Sequence, residues 1–308
     1  MHEKSKAARF LALLGLGWAC IIFRPNLLYL NQAGCYRIAR AAARCMRIPV
    51  VAHVRIFEDA AYLARQKPKP AELRAIVAIS DAVRSEISKF DALRHIPVKI
   101  IYDGYTPAVN RLAANAGKDA RNSNSIACVG RIVPIKGQDV LVDAIGLLHP
   151  DYPQIRCAMI GRGGAFWEEL KNRSVAAGLN NVICWTGFQG DPTTALRAVS
   201  ILVLPSHREP LGRVIFEAWD AGCLPIAFRG SGGAAEVLQA SGGGLLYDEQ
   251  TPAALAAAME EALSFEADER MSRVQKGRSW MTKHCSPERY AASMREVFVA
   301  AISAQRSK

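Results

Sequence analysis

Short apolar runs alternate with amphipathic stretches along the whole chain, and this alternation predicts its secondary structure. Ten runs are predominantly apolar, as expected for strands of parallel sheets that are covered on both faces. They are Leu27–Asn31, Val50–His53, Ala75–Ile79, Val98–Tyr102, Ile126–Gly130, Cys157–Gly161, Val182–Thr186, Ile201–Pro205, Leu224–Phe228 and Gly244–Tyr247. Helical patterns such as Asp139–Leu148 and Phe166–Ala177 separate them. The sequence therefore predicts an α/β protein built from doubly wound parallel sheets.

The polar stretch from residue 103 to residue 125, rich in small side chains, is typical of a linker between two Rossmann-like domains. We predict a first domain at residues 1–120 and a second at residues 121–286. A last helical pattern, in residues 287–308, is expected to pack back onto the first domain.

The stretch Phe10–Phe23 is apolar over fourteen residues and follows Lys4, Lys6 and Arg9. It is shorter than the ~20 residues of a membrane-spanning helix, and no small-residue cleavage site follows it, as a signal peptide would require. We interpret it as a buried or interface-lying helix of the fold. A monotopic membrane contact is the alternative.

Charge is distributed unevenly along the chain. Residues 1–122 hold 20 Lys and Arg against 9 Asp and Glu, a difference of +11, whereas residues 123–308 hold 19 of each. Few aromatic residues are interleaved with the cations, so this basic part does not have the composition of a nucleic-acid groove. It favours an anionic membrane surface as a partner.

The eight cysteines are scattered, with no C-x-x-C pair and no clustering with histidine. This pattern indicates neither a zinc site nor a redox dithiol, and it is typical of a protein of the reducing cytosol. We therefore predict no metal and a cytoplasmic location, and the basic first part of the chain adds a peripheral contact with the inner face of the cell membrane. We also predict no cofactor.

Loop 130–137, "GRIVPIKG", lies between a predicted strand and a predicted helix, where α/β sheets bind ligands. Gly130 allows close approach of a ligand to the backbone, and Arg131 and Lys136 place two cations on one short loop. Together they could hold a diphosphate. The alternative is two ordinary surface cations.

Residues 208–218, "REPLGRVIFEA", carry two carboxylates eight positions apart, Glu209 and Glu217. Pro210 predicts a helix start, with Glu217 about two turns inside the helix. The backbone amides expected to meet an anion there are those of Leu211, Gly212 and Arg213. Carboxylates flanking an anion site suit a nucleotide sugar, which has phosphates between two sets of hydroxyls. The alternative is that Glu217 is an ordinary exposed helix residue and that Glu209 is a first-turn carboxylate favoured by the helix dipole.

A third loop, at residues 229–237, is rich in glycine and also follows a predicted strand.

Four segments in this order resemble the donor half of glycosyltransferase family 4, whose members are retaining enzymes of the two-domain GT-B fold. They are "VGRIVPIKGQDVLVDAIGLL", "TGF" at 186–188, "VLPSHREPLGRVIFEAWDAGCLPIAF" and "GSGGAAEVL". The resemblance implies that Arg131 and Lys136 contact the donor diphosphate. It also implies that Glu209 faces the donor sugar, that Glu217 faces the ribose, and that His53 contributes to the cleft from the first domain. The base would lie near "TGFQG".

The implied reaction moves a sugar from a nucleoside-diphosphate sugar to an acceptor hydroxyl with retention of configuration and without a metal. A lipid-linked or cell-envelope glycan is the expected acceptor. Members of the family carry further βα units at the start of the first domain, so we expect this domain to be truncated. Its open sheet edge could then pair with a partner chain or a second copy. The alternatives are a non-catalytic nucleotide-sugar-binding subunit, an inactive remnant, and a nucleotide-sugar 2-epimerase.

Overall fold

The structure is a computed structural model that describes residues 6–107 and 122–306. The chain divides into two compact units, one formed by residues 1–104 with 287–308 and the other by residues 105–286. The domain boundary predicted at residue 120 lies outside the described residues. Each unit is an α/β structure with its own parallel sheet.

The first unit holds a four-stranded parallel sheet in the order β1-β2-β3-β4. Its elements are α1 (Lys6–Phe23), β1 (Leu28–Leu30), α2 (Tyr36–Met46), β2 (Val50–Val54), α3 (Phe57–Arg65), β3 (Leu73–Ala78), α4 (Asp81–Ser88), β4 (Val98–Ile100) and α12 (Pro287–Arg306). Apolar residues of α12, among them Met294 and Val297, form a common core with Val51 and Val77 of the sheet. Burial of that apolar face holds the last helix in the first unit.

The second unit holds a six-stranded parallel sheet in the order β10-β9-β8-β5-β6-β7. Its elements are β5 (Asn122–Val129), α5 (Gln138–Leu148), β6 (Arg156–Ile160), α6 (Ala165–Ala176), β7 (Ile183–Gly187), α7 (Pro192–Arg197), β8 (Val199–Leu204), α8 (Val214–Ala221), β9 (Leu224–Phe228), α9 (Gly233–Ser241), β10 (Leu245–Tyr247), α10 (Pro252–Ser264) and α11 (Ala267–Cys285). From β5 the chain builds outward to β7, then returns to β8 and builds in the opposite direction. The loops after β5 and β8 therefore diverge and leave a crevice between them.

All ten predicted strands are present, with ends that differ from the prediction by at most four residues. The prediction of doubly wound parallel sheets is confirmed. Helix α1 covers Phe10–Phe23, but only part of it is buried: Cys20 is 4% exposed, whereas Trp18 is 66% exposed. Among the described helices, none is both long and apolar enough to cross a membrane.

A glycine in helix α11 lets that helix pack directly on Trp219 of α8. A Cβ atom at Gly277 would overlap the indole ring, whose Nε1 donates a hydrogen bond to the carbonyl oxygen of Gly243 at 2.7 Å. Glycine is therefore required here for packing, although it is unfavourable inside a helix.

We expect Gly277→Ala to lower the free energy of unfolding by about 1–3 kcal/mol, because the rigid ring cannot move aside and the core becomes overpacked. Gly146→Ala, in α5, is the matched control, since a Cβ there would meet only Leu179 Cδ1, at 3.8 Å. That variant should be stabilised slightly by better helix propensity. Urea unfolding of both variants measures the difference, and equal midpoints would contradict the packing argument.

Candidate functional site

A cavity of about 220 Å³ lies at the switch point of the second sheet. Its wall includes Gly130, directly after β5, and Pro205 and Ser206, directly after β8. The predicted site residues that line it are Gly130, Lys136, Glu209, Gly212, Arg213 and Glu217. The structure therefore collects loops from two separate parts of the sequence around one crevice.

Backbone contacts hold loop 130–137 against the residues that directly follow β8. Gly137 has a φ of +66° and lies so close to Pro205 that a Cβ atom would overlap the carbonyl oxygen of Pro205. The backbone nitrogen of His207 donates to the carbonyl oxygen of Ile135 at 3.0 Å. Because only glycine combines this backbone conformation with this approach, Gly137 fixes where the neighbouring Lys136 stands.

Lys136 and Glu209 form an ion pair inside the cavity. Their side chains are 23% and 12% exposed, and Ser206 Oγ donates a further hydrogen bond to Glu209 Oε2 at 3.4 Å. A pair this poorly solvated contributes little net stability, but losing either partner leaves a costly lone charge. The ion pair thus supplies the cavity with a cation and an acceptor, each of which could exchange its partner for a ligand.

The third loop positions Glu209 through the backbone. The backbone nitrogen of Glu209 donates to the carbonyl oxygen of Ser231 at 2.6 Å, and the nitrogen of Gly233 donates to the carbonyl oxygen of Glu209 at 2.8 Å. A Cβ atom at Gly233 would overlap the carbonyl oxygen of Pro210. The glycines of this loop therefore hold the backbone that carries the carboxylate.

The predicted start of the helix at Pro210 is wrong, because α8 begins at Val214. A β-bridge between Glu209 and Gly232 keeps the preceding chain extended, and Gly212, with a φ of +77°, interrupts helical geometry. Glu217 consequently lies in the first turn of α8 and not two turns inside it.

Two predicted donor-binding residues lie away from the cavity wall. Leu211 is 2% exposed and belongs to the core. The side chain of Arg131 is exposed, and its carbonyl oxygen accepts a hydrogen bond from Gln138 Nε2 at 2.9 Å. The cations on the cavity wall are therefore Lys136 and Arg213, of which the sequence pattern named Arg213 only for its backbone amide.

Gln138 was missed by sequence reasoning. It is 2% exposed, lines the cavity, and has no hydrogen-bond partner for Oε1 among the described residues. A buried acceptor without a hydrogen-bond partner lowers the stability of the folded state. A polar residue at the start of the otherwise apolar α5, directly after Gly137, is the signal that could have identified it. Ser206, the second residue after β8, was missed as well.

Burial raises the pKa of the Glu217 carboxyl above the ordinary value for glutamate, while the charge of Arg213 acts in the opposite direction. The ionised form is thus held in an unfavourable environment, which carries a cost in folding stability. Acidic residues held in this way are typical of functional sites.

We expect Glu217→Gln to be more stable than the parent chain at pH 7. Because the folded-state pKa of Glu217 is raised, the cost of its charge is absent below the unfolded-state pKa and grows as pH rises through the folded-state value. The advantage of the variant should therefore shrink as the pH falls toward 4. Urea unfolding across this range tests the sign, and an advantage that grows at acid pH would contradict it.

In the first unit, His53 is completely buried and is the next-to-last residue of β2. Its Nδ1 lies 2.8 Å from the hydroxyl oxygen of Tyr29, and its Nε2 has no hydrogen-bond partner among the described residues. Burial, together with the nearby charge of Arg55, lowers the pKa of His53 to about 3. The ring is therefore neutral at physiological pH and carries one unused nitrogen.

We expect the imidazole of His53 to stay uncharged between pH 5 and pH 8. Because its folded-state pKa is below the unfolded value of ~6.5, folding stability should decline as the pH drops below that value. NMR of histidine-labelled protein, with the resonance assigned through His53→Asn, measures the titration. A midpoint near pH 6.5 for this ring would contradict the buried placement.

The profile of a known family matches more than half of the chain. The family is described as glycosyl transferases group 1, and the match covers residues 113–280. The fold, two units with parallel α/β sheets, is the GT-B fold. The chain belongs to the glycosyl transferases group 1 family.

Curated relatives and solved structures agree with this assignment. A D-inositol 3-phosphate glycosyltransferase of Streptomyces avermitilis is 27% identical over 283 residues, covering 82% of this chain and 59% of the relative. A GDP-mannose-dependent alpha-(1-6)-phosphatidylinositol monomannoside mannosyltransferase of Mycobacterium tuberculosis is 29% identical over 179 residues, covering 55% and 46%. The chain thus spans about half the length of these curated relatives.

Among solved structures, Anabaena Alr3699/HepE in complex with UDP and glucose matches with a TM-score of 0.78 at 19% identity, covering 94% of this chain and 81% of that one. A sucrose-phosphate synthase from Thermosynechococcus elongatus matches with a TM-score of 0.75 at 18% identity, covering 95% and 77%. At these identities the likeness is one of fold.

Proposed function

We propose that this chain is a retaining glycosyltransferase of family 4 that takes its sugar from a nucleoside diphosphate. The observation that carries the proposal is the cavity that brings Lys136, Arg213 and the start of α8 together with Glu209 and Glu217. Cations and a helix N-terminus suit the diphosphate, and acceptor-only carboxylates suit the hydroxyls on either side of it. The related structure solved with UDP and glucose supports the same ligand class.

In this proposal the bound donor separates the ion pair between Lys136 and Glu209 and gives each residue a new partner. The diphosphate takes the place of Glu209 beside Lys136, and the carboxylate of Glu209 turns to the hydroxyls of the sugar. Glu217, in the first turn of α8, accepts from the ribose. A buried charge without a partner is costly, so replacing one partner by another costs less free energy than removing the partner altogether.

The base would extend along the carboxyl edge of the sheet. The backbone nitrogen of Gly130 donates to the carbonyl oxygen of Ile160 at 2.9 Å, and that of Gly161 donates to the carbonyl oxygen of Gly187 at 2.9 Å. The ends of β5, β6 and β7 are therefore hydrogen-bonded to one another along this edge. Beyond them the exposed ring of Phe188 lies 4.9 Å below the guanidinium of Arg162. The cavity is smaller than the ~300–1,000 Å³ of typical ligand pockets, which supports placing the base outside it.

In the reaction, the bond between the anomeric carbon and the diphosphate oxygen breaks, and a bond to the acceptor oxygen forms on the same face. The departing phosphate accepts the acceptor's proton. Lys136, Arg213 and the amides before α8 would stabilise the negative charge of the leaving diphosphate. We place the reaction at the cytoplasmic face of the membrane, with a lipid-linked or cell-envelope acceptor.

The chain should be incubated with UDP-glucose, GDP-mannose and ADP-glucose, with and without inositol 3-phosphate or phosphatidylinositol as acceptor. We expect one donor to yield its nucleoside diphosphate and a product that NMR shows to keep the donor's anomeric configuration. An inverted product would contradict the retaining mechanism. A donor epimerised at C2 would identify an epimerase, and tight binding without turnover would identify a non-catalytic binding subunit or an inactive remnant.

A further inference from the structure

Gln138 is a buried polar side chain on the wall of the cavity, at the first position of α5. It is 2% exposed, and the next buried positions of the helix, Val140, Leu141 and Val142, are apolar residues of the core. An apolar side chain at such a position would pack without the free-energy cost of burying an amide. The amide of Gln138 therefore has a role that an apolar side chain could not fill.

A backbone carbonyl fixes the orientation of this amide. Gln138 Nε2 donates a hydrogen bond to the carbonyl oxygen of Arg131 at 2.9 Å. Turning the amide over would bring Oε1 against that carbonyl oxygen, and two acceptors repel each other. Oε1 is thus the polar atom of Gln138 that remains for an occupant of the cavity, and it can only accept a hydrogen bond.

The Oε1 atom of Gln138 has no partner among the described residues and is shielded from solvent. An amide oxygen in that position lowers stability until a hydrogen-bond donor meets it. Two neighbours on the cavity wall are engaged elsewhere, since Lys136 pairs with Glu209 and Ser206 Oγ donates to the same carboxylate. The missing hydrogen-bond donor therefore comes from an occupant of the cavity.

The chemistry of a nucleotide sugar limits which of its groups can meet Oε1. The phosphate oxygens are acceptors and would be repelled, whereas the hydroxyl groups of the sugar can donate. Glu209, the proposed contact of the sugar, is paired with Lys136, which lies two positions before Gln138. Opening of that ion pair in the proposed binding step lets a sugar hydroxyl approach the start of α5.

We propose that Gln138 is a specificity residue of the site, whose Oε1 accepts a hydrogen bond from one hydroxyl group of the transferred sugar. The inference rests on the proposed function, because it requires a nucleotide sugar in the cavity. Glu209 and Gln138 then hold the sugar through separate hydroxyl groups. A site with a buried acceptor rejects a ligand that lacks the matching hydroxyl, so Gln138 selects among sugars by the position of one hydroxyl group.

Calorimetry with nucleotide sugars and with their bare nucleoside diphosphates tests this assignment. The probes are UDP-glucose with UDP, GDP-mannose with GDP, and ADP-glucose with ADP. For the pair that binds the parent chain, we expect Gln138→Leu to weaken the nucleotide sugar about 10- to 100-fold more than the bare diphosphate. A purely structural role would weaken both ligands alike and leave the ratio of their affinities unchanged.

Two further variants serve as controls for this ratio. Gln138→Glu keeps an acceptor oxygen, so its ratio of affinities should stay near that of the parent chain, although the added charge weakens the binding of both ligands. Gln275→Leu, an exposed position on α11, is the matched control and should change neither affinity. Circular dichroism and thermal melting establish that each variant is folded.

Deoxy analogues of the bound nucleotide sugar, each lacking the hydroxyl at C2, C3, C4 or C6 of the sugar, identify the group that meets Oε1. One analogue should bind the parent chain about 10- to 100-fold more weakly than the complete nucleotide sugar. The same analogue should lose no affinity for Gln138→Leu, because its partner is already absent from that variant.

An unchanged ratio of affinities in Gln138→Leu would overturn the inference, and would show that the glutamine only holds loop 130–137 or meets Lys136. Deoxy analogues that each lose the same affinity in the parent chain and in this variant would overturn it as well, and would leave an ordered water as the partner of Oε1. If the folded parent chain bound none of the three nucleotide sugars, the proposed function would fail together with this inference. Binding with an unchanged ratio overturns this inference alone.

Discussion

Glu209→Gln is expected to lower the rate of sugar transfer by about 100- to 1,000-fold, the scale seen when one preorganised polar contact to the reacting group is lost. The amide keeps the shape of the side chain but not its charge. Binding of the bare nucleoside diphosphate should be unchanged or tighter, because Lys136 then faces the phosphates without a competing carboxylate.

Calorimetry with UDP and GDP, alongside turnover measurements, separates these two effects. Glu261→Gln, exposed on α10, is the matched control and should behave as the parent chain in both assays. If the Glu209 variant lost diphosphate affinity as strongly as turnover, the carboxylate would not be acting on the sugar.

Lys136→Met is expected to weaken nucleoside-diphosphate binding by roughly 10- to 150-fold, the equivalent of a charged hydrogen bond of about 1.5–3 kcal/mol. The change also leaves the carboxylate of Glu209 poorly solvated and unpaired, so the variant should unfold at a lower denaturant concentration. Affinity must therefore be measured well inside the folded range.

The double variant Lys136→Met with Glu209→Gln distinguishes the two roles of the lysine. It leaves no lone charge in the cavity, so stability should recover relative to Lys136→Met while diphosphate affinity stays low. Lys171→Met, on the surface of α6, is the control. Unchanged affinity in both lysine variants would remove Lys136 from the binding site.

The strands could be predicted from the sequence because both faces of each sheet are covered. Buried strand positions are then mostly apolar, and a run such as the one at Leu224–Phe228 stands out against the helices around it. The site loops could be located for a related reason, since ligand loops of such sheets follow strand ends. Gly130 and Lys136 were found in this way.

The start of α8 could not be predicted, although Pro210 is a common first residue of a helix. What overrides it is a contact distant in sequence, the β-bridge from Glu209 to Gly232, together with the left-handed backbone at Gly212. The same displacement sends Leu211 into the core. Tertiary hydrogen bonds override the local helix propensity here, because they hold the backbone before Val214 in a non-helical conformation.

The sequence by itself determined the ten strands, their parallel arrangement and the loops in which charged residues would gather, because burial dictates residue type at each of those positions. Only the tertiary structure decided which charges meet. That His53 is buried beside Tyr29 and that Lys136 pairs with Glu209 follow from contacts between residues 24 and 73 positions apart. No local pattern specifies such contacts, since they depend on how separate loops fit against one another.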